Sequence, residues 1–304
     1  MSKATVIGVG NLGSCIAYQV ANLGLVDELI LVDIYRDLAE GNAADIEQAL
    51  AFRSHLRVRS GDYKDAEGSD VIVVTAGKPR TPEMKSRIEL LEVNKKIIQQ
   101  VASNLKRMKN EPIVVTLTNP VDIMNFLMHK NTGFDRRRVL GSAGMLDSSR
   151  LRTVLSKRYS VSVLDVEAYV IGEHGDSQVP VFSQIRKKGK RMVFNESERA
   201  EIIEELSKSA EDVINKKGAT IFAPTSNTVD MLQMILGDEK RTAVCSVVLE
   251  GEYGLKDVSI GVPIVLGRKG AERILEWELD EEERQSFYKG ANYIKEVLNK
   301  IISS

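Results

Sequence analysis

The chain predicts an α/β fold: a doubly wound parallel sheet over residues 1–141, then an α+β domain over residues 142–304. Three observations predict it. Runs of continuous Val, Ile and Leu alternate with helical stretches in the first half, the pattern of parallel strands buried on both faces. A glycine-rich turn joins the first run to the first helix. After about Gly141 the texture shifts to an alternating run, a hairpin and long charged helices.

The elements follow in order. Ala4–Gly8 reads as a strand, Ser14–Leu23 as a helix closed by Gly24, and Leu29–Asp33 as a second buried strand. Leu38–Ala51 has helical periodicity, Val71–Ala76 is a third strand, and Ile88–Met108 a long helix. Ile113–Leu117 is a further strand and ends in Thr118-Asn119-Pro120. In the second half, Leu146–Ser156 reads as helix, and Val163–Val181 as an alternating strand that ends in a turn. Glu198–Lys217 and Ile221–Leu236 read as helices, Thr242–Glu250 and Val258–Leu266 as a hairpin around Gly251–Gly254, and Asp280–Ile302 as a closing amphipathic helix. No linker rich in Pro, Gly or Ser separates the halves, so they are expected to pack tightly.

Composition excludes several classes. A net charge of −1 disfavours a nucleic-acid or anionic-membrane surface, and no apolar run reaches the ~18 residues that span a bilayer. With no signal-peptide pattern, and with Cys15 and Cys245 both in apolar patterns that read as small buried hydrophobes, a reducing compartment is expected, the cytoplasm. No Cys/His cluster suggests a metal.

Two stretches carry chemistry. In Gly8-Val9-Gly10-Asn11-Leu12-Gly13, Gly8 permits a tight turn, Gly10 a close approach by a pyrophosphate, and Gly13 close packing of helix on strand. The phosphates would meet free N–H groups at the helix start. Asp33 lies twenty residues past Gly13 at a strand end, placed to accept from ribose hydroxyls and to repel a 2′-phosphate; NAD is expected over NADP. This is a Rossmann-type arrangement. The second stretch is Gly172-Glu173-His174-Gly175-Asp176-Ser177, which delivers an imidazole from a strand onto a turn. Leu146-Asp147-Ser148-Ser149-Arg150 adds an acid and an arginine three apart on one helical face, the acid able to orient His174 and the arginine able to fork a carboxylate. Gly77–Arg87 is a basic loop at a strand's carboxyl end, able to close over a substrate. His55 and His129 read as structural, the latter as a cation at a helix end.

Together VIGVGNLGS, LVDI, VVTAGKPR, TNPVD, LDSSR, IGEHGDSQVP, KGAT and LEGEYG, in this order over nearly the whole chain, resemble the lactate/malate dehydrogenase family. The resemblance implies reversible hydride transfer between NAD and a 2-hydroxy acid. It implies that His174 is the proton donor/acceptor, Asp147 its acidic partner, Arg150 the clamp on the C1 carboxylate, and Arg87 the arginine that polarises the reacting carbonyl. It places Asn119 near the nicotinamide and the substrate oxygen, and Thr220 in the substrate pocket. Gly8, Gly10, Asn11, Leu12, Gly13, Asp33, Thr75, Ala76, Gly77, Asn94, Thr118 and Asn119 would bind the cofactor. Arg80 occupies the position that discriminates substrates, arginine in malate dehydrogenases and usually glutamine in lactate dehydrogenases. A monocarboxylate would leave its guanidinium unpaired at a cost of roughly 3–5 kcal/mol, so malate/oxaloacetate, a small dicarboxylate, is the expected substrate. One departure is a nine-residue spacing from Gly77 to Arg87 where the family has eight, with Glu83 replacing a glycine. A lactate or broader 2-hydroxyacid dehydrogenase, and a non-catalytic NAD-binding scaffold, remain as alternatives. A homo-oligomer is expected, a tetramer before a dimer, with the helix around Leu38–Ala51 as interface.

Overall fold

The structure is a computed structural model that describes residues 2–78 and 87–302; the side chains of residues 87–89 lie outside the description. In the first half β1 (Lys3–Ile7), α1 (Asn11–Asn22), β2 (Glu28–Val32), α2 (Arg36–Leu50), β3 (Arg57–Ser60) and β4 (Val71–Val74) follow one another. They are succeeded by α3 (Arg87–Leu105), β5 (Ile113–Thr116), α4 (Val121–Thr132) and β6 (Val139–Gly141). The second half begins with α5 (Gly144–Arg158), then β7 (Val166–Glu167), β8 (Val170–Gly172), β9 (Gln178–Pro180), β10 (Arg186–Lys187) and β11 (Lys190–Arg191). It ends with α6 (Glu196–Lys217), α7 (Phe222–Leu236), β12 (Arg241–Glu250), β13 (Lys256–Gly267), β14 (Gly270–Ile274) and α8 (Glu281–Ile302).

Among the described residues one sheet runs through both halves in the order β3-β2-β1-β4-β5-β6-β12-β13-β8-β9, with β14 beside β13. The first six strands are parallel. The junction is antiparallel, Ser246 of β12 standing opposite Gly141 of β6. Leu29, Ile30, Leu31, Ile72, Val73, Val74, Val114 and Val115 are all buried, as strands covered on both faces must be. On α1 the buried positions Gly13, Ile16, Ala17, Val20 and Ala21 recur every three or four residues. Helix α6 follows the opposite rule. Among its residues only Ile202 and Leu206 are buried, and an Asn195–Glu198 capping box starts it.

Strand order reverses between β1 and β4, which opens a crevice at their carboxyl ends. Helix α4 is buried along most of its length and lies across the join. Its Asn125 donates to the Val139 carbonyl (3.3 Å), the Ser246 carbonyl (3.1 Å) and Ser259 Oγ (3.0 Å), tying both halves to one helix. That burial replaces a linker.

The structure corrects three expectations. Val163–Val181 is not one strand: a 3₁₀ turn (Val163–Asp165) leads into β7, and only then does the chain enter the main sheet as β8 and return as β9. The period-two pattern survives because β7 packs in a separate three-stranded sheet with β10 and β11, whose core also buries one face. His129 is not a cation suited to a helix end. Burial pushes its pKa down, and its ring shares a 3.0 Å hydrogen bond with the Phe134 carbonyl. Cys245 is buried, but Cys15 is only half-buried.

Candidate active site

Two places at the carboxyl ends of the strands matter, and the first is the glycine turn after β1. Gly8 has φ +90°, and a Cβ there would lie 2.5 Å from the Ala76 nitrogen. The turn is therefore pressed against the end of β4. Gly13 is as constrained, since a Cβ would sit 1.9 Å from the Gly8 oxygen and 2.6 Å from Thr75 Oγ1. At Gly10 nothing lies within 4 Å of the Cβ position, so this backbone is open on the side where α1 starts. Closed beneath and open above, the turn fits a pyrophosphate held by N–H groups. Asn11, Leu12 and Gly13 form the first turn of α1, which starts earlier than the sequence pattern suggests. At the end of β2, Asp33 accepts from the N–H of Val9 (2.8 Å) and of Tyr35 (2.9 Å), one bond per oxygen. Each oxygen keeps a lone pair for a ligand hydroxyl.

The strand ends opposite are braced in the same way. Thr75 Oγ1 donates to the Gly8 carbonyl (2.5 Å) and Thr118 Oγ1 to the Ala76 carbonyl (2.7 Å). A Cβ on Gly77 would meet Thr118 Cγ2 at 2.5 Å. Asn94 is buried, and its amide is committed to backbone: it accepts from the Lys78 N–H (2.7 Å) and donates to the Asn119 carbonyl (2.7 Å). It fastens the segments after β4 and β5 to each other. The Asn119 residue itself is exposed, and the Asn119–Pro120 peptide is cis.

The second place is the turn after β8. Gly172 has φ +91°, and its carbonyl would lie 2.8 Å from a Cβ on Gly261 of β13, so both strands need glycine where they cross. The chain then turns through Glu173 and His174, with the Gly175 N–H bonding the Glu173 carbonyl (2.9 Å). Helix α8 backs the turn, a Cβ on Gly290 falling 3.0 Å from the Glu173 Cβ.

His174, Asp147 and Arg150 come together. Asp147 is buried in the first turn of α5. Its Oδ2 lies 2.7 Å from His174 Nδ1, and its Oδ1 accepts from Arg150 Nη1 at 3.1 Å. A carboxylate only accepts, so Nδ1 carries the hydrogen and Nε2 is left for a substrate. Burial pushes the His174 pKa down, and Arg150 pushes the same way. The charge and hydrogen bond of Asp147, with the charge of Asp122, outweigh them, so the pKa ends above the ordinary value. The side chain keeps 22 % exposure, which leaves it reachable.

Sequence reasoning missed Asp122. Its carboxylate accepts from the His174 backbone N–H (2.8 Å) and from the Ser246 hydroxyl. The residue closes the TNPVD motif, but nothing in that motif tells which chain segment its side chain meets. Thr220, between α6 and α7, has a buried hydroxyl without a hydrogen-bond partner among the described residues. Arg80 and the Arg87 side chain lie outside the described residues. Among the described residues no group of His, Cys, Asp and Glu could hold a metal ion, and no helix is long and apolar enough to cross a membrane.

Comparison with known proteins agrees with this geometry. Residues 2–141 match the lactate/malate dehydrogenase NAD binding domain, and residues 144–304 the lactate/malate dehydrogenase alpha/beta C-terminal domain. The malate dehydrogenase of Natronomonas pharaonis is 40% identical over 99% of this chain and 100% of that protein. L-lactate dehydrogenase 1 of Clostridium acetobutylicum is 36% identical over 99% of this chain and 98% of that one. The crystal structure of Cryptosporidium parvum malate dehydrogenase superposes with a TM-score of 0.94 at 32% identity, over 100% of this chain and 99% of that chain. The chain belongs to the lactate/malate dehydrogenase family.

Proposed function

We propose that this protein is an NAD-dependent malate dehydrogenase that interconverts malate and oxaloacetate. The observation that carries the reaction is the single buried carboxylate of Asp147, which holds the His174 imidazole on one oxygen and the Arg150 guanidinium on the other. One atom set thus orients both a proton donor and a carboxylate clamp. The substrate choice rests on Arg80 in the sequence and on the similarity to malate dehydrogenases of haloarchaea.

In this reading residues 1–141 bind the cofactor and residues 142–304 supply the acid/base chemistry. Gly8, Gly10, Asn11, Leu12 and Gly13 cradle the pyrophosphate, and Asp33 takes the ribose hydroxyls. Thr75, Ala76, Gly77, Asn94, Thr118 and Asn119 line the remaining length. When bound, NADH supplies the hydride that reduces the substrate carbonyl. Arg150 holds the C1 carboxylate, Arg80 the second carboxylate, and Thr220 lines the pocket. His174 gives the Nε2 proton to the oxygen as negative charge develops there, while Arg87 stabilises that charge. In the reverse direction neutral His174 takes the hydroxyl proton. The raised pKa keeps the imidazolium populated to higher pH, which favours reduction. We further infer a cytoplasmic homo-oligomer, a tetramer before a dimer. Leu38, 43% exposed on α2, and Phe52, fully exposed just after it, support an interface there; light scattering would give the mass.

The test is NADH oxidation with oxaloacetate and pyruvate in parallel, for wild type and His174→Asn. Fast turnover of oxaloacetate, lost in the variant, supports the reading. Preference for pyruvate would make the enzyme a lactate dehydrogenase, the second reading that relatives such as the clostridial enzyme favour. No turnover with either would leave an NAD-binding scaffold.

A further inference from the structure

His174 is held by two carboxylates, not one. Asp147 takes the ring. Asp122 takes the main chain at the same residue, its Oδ2 accepting from the His174 N–H at 2.8 Å. Its other oxygen accepts from the hydroxyl of Ser246, the β12 residue that stands opposite Gly141 where the parallel and antiparallel halves of the sheet meet. Asp122 is 3% exposed and lies in the first turn of α4, where N-terminal backbone N–H groups favour an anion.

Resting on the reading of His174 as the proton donor, we propose that Asp122 is a positioning residue: it clamps the His174 backbone to the joint between the two halves, and its charge holds the proton on the imidazole. Burial of a charge is costly unless it is paired. Here burial pushes the Asp122 carboxyl up to about 6, against the pull of the Ser246 hydroxyl and the His174 N–H. The group is therefore anionic at neutral pH. Among the described residues no arginine or lysine forms an ion pair with it, and the cation that favours its ionised form is His174 itself. The charged groups that bear on the pair are Asp147 and Arg150 from α5, Asp122 from α4, and Glu173 from the turn, which pushes the Asp122 carboxyl further up. Asp147 and Asp122 favour the imidazolium; Arg150 opposes it.

Asp122→Asn separates charge from geometry. The amide oxygen still accepts from the His174 N–H, and the charge is gone. The chain has three histidines, so the His174 ring proton is followed by NMR and assigned with His174→Asn. In Asp122→Asn the His174 titration should move to lower pH without added substrate or cofactor. In turnover, the alkaline limb of oxaloacetate reduction should move with it, lowering kcat on that limb by about three- to tenfold with KM little changed. Malate oxidation at acidic pH should rise. Asp122→Ala, which loses the clamp as well, should lower kcat across the whole pH range. If Asp122→Asn does not fold, Ser246→Ala takes its place: losing the hydroxyl raises the Asp122 carboxyl further, and His174 should shift in the same direction by less. An unmoved His174 titration in a folded Asp122→Asn or Ser246→Ala overturns the proposal. A wild type that turns over neither substrate overturns the enzymatic reading instead, since the NMR titration needs no turnover.

Discussion

Replacing Asp147 by Asn removes the largest upward influence on His174 and leaves its burial in place. The Asp147 carboxylate acts on the ring through charge and through a 2.7 Å bond. Without it, burial dominates and the imidazole pKa should fall below its ordinary value. A hydrogen bond to a charged group contributes about 1.5–3 kcal/mol, so oxaloacetate reduction at neutral pH should slow by roughly ten- to 150-fold. The effect has a direction. Reduction needs imidazolium and should suffer most at high pH. Malate oxidation needs neutral imidazole, and its acid limb should extend to lower pH. Arg150 also loses the charge of its 3.1 Å partner, so KM for oxaloacetate should rise. Steady-state rates in both directions across the pH range, with NADH followed by absorbance, provide the assay. A variant whose two directions slow equally at every pH, or whose profiles match wild type, would refute the reasoning.

Three further predictions concern other parts of the molecule. Gly13→Ala places a methyl 1.9 Å from the Gly8 oxygen, so α1 must shift away from β1; unfolding should show a loss of at least ~1–3 kcal/mol, and NADH titration a weaker Kd. Arg80→Gln should lower oxaloacetate use and raise pyruvate use, and unchanged preference would remove Arg80 from substrate selection. The Asp122 carboxyl is raised in the folded state, from 3.8 to about 6, so ionising it costs the fold up to about 3 kcal/mol above pH 6 and nothing below the unfolded value. Asp122→Asn should therefore melt higher than wild type at neutral pH, with the gain fading on acidification; a pH-independent change would contradict this.

The first half was largely legible in the sequence because each of its signals is local. The strand, glycine turn and helix of Ala4–Leu23 are contiguous, and the apolar runs at Leu29–Val32, Val71–Val74 and Ile113–Thr116 are long enough to stand out. Strand β6 has three residues and β7 two, too few for any periodicity. The same cause hid the break in Val163–Val181, where two unrelated sheets each bury one face of the chain in turn. At the site, Asp147 and Arg150 could be paired because they share a helical turn, and His174 because glycines flank it. Asp122 could not, since its partners His174 and Ser246 lie 52 and 124 residues away and are reached only through tertiary packing. Asn94 was expected to touch the cofactor; beside that expectation, its amide is engaged with Lys78 and Asn119, a bracing task that only the folded chain reveals.

The central claim is that one imidazole, held by Asp147, carries the proton in both directions. The most direct test is the pH dependence of kcat/KM for oxaloacetate reduction and for malate oxidation on the same enzyme. The account predicts mirror-image limbs through a single shared pKa raised above the ordinary histidine value, reduction falling and oxidation rising with pH. Limbs that run parallel, or that survive in His174→Asn, would contradict it.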